Sequence, residues 1–152
     1  MSLITPKTAL ISLSDKSNLD KLVKFLLKQK VKMISTGGTY KSIKKITDDV
    51  MEVSEFTGFE EMMDGRVKTL HPKIHAGILA RRETDMEVLT DRGYEPIDMV
   101  VVNLYPFKET VASGCSFEEA IENIVIGGRS LMRSAAKIFI VVGVISDGFD
   151  YE

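Results

Sequence analysis

Apolar positions fall into two kinds of segment along this 152-residue chain. Ala9-Leu10-Ile11 is a short unbroken apolar run, as expected of a strand covered on both faces. Leu19, Leu22, Val23, Leu26 and Leu27 then recur at helical spacing, forming one stripe of an amphipathic helix. Asp15 or Ser17 is placed to cap it. Val31 to Ile34 reads as a second strand, ending in Ser35-Thr36-Gly37-Gly38-Thr39, and a helix is expected over Tyr40 to Ile46. Val50 to Val53 is a candidate third strand, and Met99-Val100-Val101-Val102 is the most strongly marked strand of all. Ser116-Phe117-Glu118-Glu119 fits an S-x-x-E capping box opening a helix to about Asn123. A helix from about Gly128 to Lys137 follows, then an apolar run, Phe139 to Ile145, that predicts a last strand. Strands alternating with helices define an α/β fold of three layers, a mainly parallel sheet flanked by helices.

In such sheets ligands bind beyond the carboxyl ends of the strands. That rule directs attention to Ser12–Lys16, Ser35–Thr39, Asn103–Tyr105 and the segment after Asn123. Ser12-Leu13-Ser14-Asp15-Lys16 offers hydroxyls, an ammonium and free N–H groups to an anion, although a Ser or Asp there also serves simply as a helix cap. Ser35-Thr36-Gly37-Gly38-Thr39 repeats the arrangement, with two glycines that allow close backbone approach. Two such loops at neighbouring strand ends suggest one phosphate held jointly. Neither G-x-x-x-x-G-K-[ST] nor G-x-G-x-x-G occurs, which disfavours a nucleoside triphosphate or a dinucleotide cofactor.

Gly65-Arg66-Val67-Lys68-Thr69-Leu70-His71-Pro72 concentrates polar groups in an expected loop. Arg66 can grip an oxyanion or carboxamide through its fork, and Lys68 can donate to a developing oxyanion. A solvated basic loop would look the same. His71 and His75 are separated by Pro72 and lack an H-E-x-x-H glutamate, so structural or hydrogen-bonding roles suit them better than a metal. Tyr105 follows the strongest strand, where it can donate to a carbonyl or cap the core. Lys137 closes a helix whose dipole it complements.

Composition narrows the class. The chain is 44% hydrophobic and 28% charged, with a net charge of −2, which argues against a general nucleic-acid binder. The single cysteine, Cys115, cannot form an internal disulfide, and a reducing cytoplasm is the expected setting. No apolar run approaches the roughly 18–20 residues that span a bilayer.

Taken together, Ser14-Asp15-Lys16, Ser35 to Thr39, Thr57-Gly58-Phe59, Met62 to Pro72, Ala76 to Arg81, Asn103 to Phe107 and Gly127-Gly128 through Lys137 resemble the N-terminal domain of the bifunctional purine biosynthesis family, AICAR transformylase/IMP cyclohydrolase. The resemblance covers nearly the whole chain. It implies a methylglyoxal-synthase-like fold, a cytoplasmic homodimer, and closure of FAICAR to IMP with loss of water, without metal or cofactor. It implies that Ser14, Lys16, Thr36, Gly37, Gly38 and Thr39 bind the 5′-phosphate, with Asp15 also among the substrate-binding residues. Arg66, Lys68 and Thr69 would line the base end, with Val67, Asn103, Ile126, Gly127 and Gly128 completing the substrate site. Lys68, Tyr105 and Lys137 would serve the reacting groups, and proton transfer is the role implied for Lys137. The family's chain continues into a transformylase domain, so residues 1–152 are expected to be a truncated cyclohydrolase domain from which formyl transfer is absent. The other readings of the same fold are a regulatory module that binds a nucleotide or phosphate with little catalysis, and a methylglyoxal synthase, whose aspartate-rich loop has no counterpart here.

The C-terminal quarter departs from the family pattern. Ile124-Val125-Ile126-Gly127-Gly128 stands where that pattern reads Ile-Asp-Ile-Gly-Gly, and Val125 can neither accept a hydrogen bond nor carry a proton. Arg129, Ile138 and Ile140-Val141 also depart. These replacements share single-base forms, as a reading error in this stretch would leave. An intact-mass measurement separates that origin from genuine divergence.

Overall fold

The computed structural model describes residues 4–151. Its elements run β1 (Thr8–Ser12), α1 (Leu19–Lys28), β2 (Lys32–Ser35), α2 (Gly37–Lys44), β3 (Met51–Glu52), α3 (Val53–Thr57), α4 (Pro72–Leu79), α5 (Met86–Asp91), β4 (Met99–Val102), α6 (Phe107–Ala112), α7 (Phe117–Glu122), α8 (Gly127–Lys137) and β5 (Gly143–Ile145), then a 3-10 turn (Gly148–Tyr151). Every strand pairing is parallel, in the order β3-β2-β1-β4-β5. The connection reverses direction between β1 and β4, and a crevice opens at that point in a doubly wound sheet.

Side-chain alternation on the strands supplies both faces. Leu10, Ile34, Val100 and Val102 point to one side and pack against Val53 and Phe56 of α3, Ile74 and Ile78 of α4, and Leu131 and Ala135 of α8. Ala9, Ile11, Met33 and Val101 point to the other, against Leu19, Leu22, Val23 and Leu26 of α1 and Ile43 of α2. Burying each of these large aliphatics contributes about 1.5–3 kcal/mol. At the amino edge, Asp98 accepts from the Lys7 and Thr8 amides at 3.0 and 3.2 Å and pairs with Arg82 at 3.4 Å, pinning β1 beside β4.

Several expectations need correction. The glycine pair does not precede α2; the helix begins at Gly37, with Thr36 as an extended N-cap. α1 follows Asn18 in a left-handed conformation with no side-chain cap, because Asp15 instead accepts from the Ser17 amide and hydroxyl at 2.9 and 2.6 Å. The third strand is two residues long, and Val53 already belongs to α3. The last strand covers only Gly143–Ile145. Phe139 and Ile140 lie exposed in the turn after α8, because pairing with β4 begins where Gly143 meets Met99. The capping box at Ser116 forms as expected, with both reciprocal bonds present. Among the described residues no helix is long and apolar enough to cross a membrane.

Candidate functional site

Three loops at the carboxyl edge are tied to one another by side chains of the sequence-predicted set. Ile11 is in register with Ser35, so the β1 and β2 loops emerge together. Ser12 Oγ and Thr36 Oγ1 share a hydrogen bond of 3.1 Å. The buried Thr39 hydroxyl accepts from the Leu13 amide and donates to the Leu13 carbonyl, both at 2.9 Å. Asn103 reaches across from β4: its Oδ1 accepts from the Ser14 and Asp15 amides at 2.6 and 3.1 Å, and its Nδ2 donates to the Asp15 carbonyl at 2.7 Å. Thr39, Asn103 and Asp15 therefore shape the loops. The hydrogen bonds from Ser17 hold the Asp15 carboxyl below the usual carboxylate range.

Two ammonium groups converge on the start of α2. A Cβ placed on Gly38 would lie 3.9 Å from Lys16 Nζ, and one on Gly37 would lie 3.6 Å from Lys68 Nζ. Lys16 Nζ also donates to the Ser14 carbonyl at 3.3 Å. The first turn of α2 carries no acidic side chain. The Gly37 and Gly38 N–H groups and the positive end of the helix dipole thus lie beside two cations, an arrangement suited to an anion. Lys68, expected at the base end, stands at the junction of this cradle with the neighbouring cavity.

That cavity, of about 410 Å³, is lined by Ser12, Arg66, Lys68, Thr69, Ile126, Gly127 and Gly128 together with Asp64, Gly65, Ile121, Glu122 and Ile124. Arg66 is aimed into it by a tight turn in which Met62 and Val67 exchange backbone hydrogen bonds of 3.0 and 3.3 Å. Met63, Asp64 and Gly65 adopt φ values of 55°, 55° and 81° to make that turn. Val67 is thereby a hairpin residue rather than a lining one. Arg66 pairs with Glu122 of α7, and Lys68 Nζ lies 3.9 Å from Glu61 Oε2. Buried Thr69 abuts the start of α8, where a Cβ on Gly127 would come within 2.6 Å of its Oγ1.

Tyr105 and Lys137, expected to serve the reacting groups, stand apart from the cavity. Tyr105, 49% exposed, lines an open hollow of about 650 Å³ with Ser14, Asp15 and Asn103, and a smaller one with Val125 and Arg129. Lys137 is not brought to the cavity. Gly127 lies in the cavity lining, and α8 rises about 1.5 Å per residue, which carries Lys137 roughly 15 Å toward the amino edge. Its charge there complements the helix dipole. Both histidines are structural: His71 Nδ1 accepts from the Lys73 amide at 3.1 Å as the N-cap of α4, and His75 Nδ1 bonds Ser134 Oγ at 2.9 Å. Burial pushes the His75 pKa below its ordinary value, against a smaller opposing pull from the Thr69 backbone. Glu122 was not signalled by the sequence, since only the fold places α7 opposite Arg66.

The fold and site define a doubly wound α/β domain with two ammonium groups over the start of the helix that follows β2. Residues 18–130 match the MGS-like domain family, and the chain belongs to it. Over 148 residues it is 55% identical to the bifunctional purine biosynthesis protein PurH of Magnetococcus marinus, covering 95% of this chain and 28% of that protein. It is likewise 55% identical to PurH of Fusobacterium nucleatum, covering 96% of this chain and 29% of the relative. The chain thus spans under a third of the length of these relatives. The crystal structure of ForH is similar at 32% identity with a TM-score of 0.80, covering 96% of this chain and 75% of that one.

Proposed function

We propose that this domain is an IMP cyclohydrolase, closing FAICAR to IMP in the last step of de novo purine synthesis. The observation that carries the reading is the cradle of Lys16 and Lys68 over the start of α2, beside the 410 Å³ cavity that Lys68 also lines. The 55% identity to proteins named for bifunctional purine biosynthesis supports it. The cradle suits a 5′-phosphate and the cavity suits the base end of the same molecule.

The reaction is intramolecular. The carboxamide nitrogen attacks the formyl carbon, a C–N bond forms, and the formyl oxygen leaves as water with one hydrogen from each nitrogen. Anchoring the phosphate at one end and the carboxamide at the other selects the compact conformer that reacts. Lys68, at the junction, is committed to the phosphate in this arrangement. The Arg66 fork holds the carboxamide oxygen, and Thr69 with the Gly127-Gly128 backbone shapes the wall. Tyr105 and Lys137 do not line this cavity, and their proposed service to the reacting groups is read by Tyr105→Phe and Lys137→Gln in the same assay. Val125, which packs 3.2 Å from the Cβ position of Gly128, supplies no proton. If that position carries acid–base work, turnover falls by about 10²–10⁴-fold.

The test incubates the chain with FAICAR and follows IMP, then repeats it with Val125→Asp. Formation of IMP, faster in the variant, supports the reading. If neither protein forms IMP but both bind it, the domain is instead a nucleotide-binding regulatory module. The partner proposed with this function is a second copy of the chain, in the cytoplasm. Neither α6 nor α7 buries a residue, and Phe107, Val111 and Phe117 are exposed there. Sedimentation equilibrium showing only monomer at micromolar concentration contradicts the dimer.

A further inference from the structure

Each cation that faces the cavity meets a carboxylate of the chain itself. Lys68 is approached by Glu61, and Arg66 is paired with Glu122 at the end of α7. The second pair spans the cavity, since Arg66 arrives on the 62–67 turn and Glu122 on a different element, and both line the same space. Packing does not require it: the two side chains are 61% and 60% exposed, and α7 buries no residue. An exposed pair of this kind contributes at most about 1 kcal/mol. It also leaves the fork incomplete, because only Nη2 is engaged and the other donors remain for a further partner. A cation suited to gripping a ligand is thus held by a weak, exchangeable anion.

We infer that Glu122 is an affinity-setting residue of this site: its carboxylate holds Arg66 across the cavity and yields it to the ligand, so that Glu122 sets nucleotide affinity by competing for the guanidinium. The inference rests on the nucleotide reading above. A phosphate ester brings negative charge into a site where Glu61, Asp64 and Glu122 already offset Lys16, Arg66 and Lys68. Glu122→Gln keeps the size of the side chain and removes one of those charges.

The experiment is calorimetric titration of the chain with IMP at low and high salt, for the parent, Glu122→Gln, Arg66→Gln and the double variant. Glu122→Gln is expected to bind IMP about threefold to tenfold tighter at low salt. The gain should shrink as salt screens the site. With Arg66→Gln already in place, the same substitution should change affinity less than about twofold, because the competed group is gone. Unchanged or weaker binding by Glu122→Gln, or an equal gain without Arg66, overturns the inference. The parent is also titrated with inorganic phosphate. Phosphate binding without IMP binding refutes the nucleotide reading alone, and the same cycle read with phosphate then decides Glu122. Binding of neither refutes both.

Discussion

The ammonium of Lys68 lies 3.6 Å from the point where a Cβ on Gly37 would project, and Gly37 holds φ at +42° to open α2 beneath it. One residue supplies the charge, and the other supplies a backbone turn that few side chains tolerate. Gly37→Ala should therefore cost about 1–2 kcal/mol from the left-handed backbone alone. In a domain of this size that lowers Tm by several degrees. Gly38→Ala, where a methyl would merely touch the end of Lys16 at 3.9 Å, should be tolerated better. Circular-dichroism melts of the two variants check the contrast.

Thr39 joins α2 to the β1 loop through a hydroxyl that both accepts from and donates to Leu13. Thr39→Val keeps the shape and leaves a buried amide and carbonyl unpaired, which costs about 1–3 kcal/mol. Thr39→Ser should recover most of it. Urea unfolding measures both.

Gly127 and Thr69 make the tightest approach in the cavity wall. Gly127→Ala would place a methyl 2.6 Å from the Thr69 hydroxyl, which is buried and cannot simply swing away. The expected loss is about 1–3 kcal/mol. Thr69→Ala added to that chain should restore part of the loss. Additive losses in the double variant would contradict the contact.

His75 gives the fold a pH dependence of definite sign. Its pKa is lowered chiefly by burial, so the unfolded chain binds a proton here more readily than the folded one. The stability of the half-buried neutral ring is therefore complete above about pH 6.5, the unfolded value, and declines as pH falls below it. Tm should drop between pH 7 and pH 5, and drop less in His75→Gln. Equal declines in the two proteins would contradict this assignment.

How much of this could be read from sequence depended on whether a feature was local. β1, β4 and α1 were legible because an unbroken apolar run or a helical stripe reports burial directly. The start of α2 was not, since two glycines read as a turn, whereas here they occupy the first helical turn beneath Lys16 and Lys68. α3, α4, α5 and α6 were missed: each has five to eight residues, too few for periodicity to register. Phe139 to Val142 looked like strand because it is apolar, but β4 offers pairing only from Met99, opposite Gly143.

For the site, adjacency of the Ser12 and Ser35 loops followed from neighbouring parallel strands, and the structure joins them through Ser12–Thr36 and Leu13–Thr39. The Arg66–Glu122 pair joins residues 56 positions apart on a turn and a helix, and no spacing rule connects them. Lys137 illustrates the converse. Its motif lies in a helix that starts at the cavity, and the lysine stands at the far end of that helix, outside the cavity lining.

The central claim is that Lys16 and Lys68 hold a phosphate at the start of α2. Calorimetric titration with IMP and with inosine, on the parent, Lys16→Gln and Lys68→Gln, tests it most directly. Charge-assisted bonds of this type are each worth about 1.5–3 kcal/mol, or roughly tenfold or more in affinity. The account predicts that IMP binds at least about tenfold more tightly than inosine, and that each substitution removes about tenfold of IMP affinity while leaving inosine little changed. Equal binding of IMP and inosine, or IMP affinity untouched in the double variant, would contradict it.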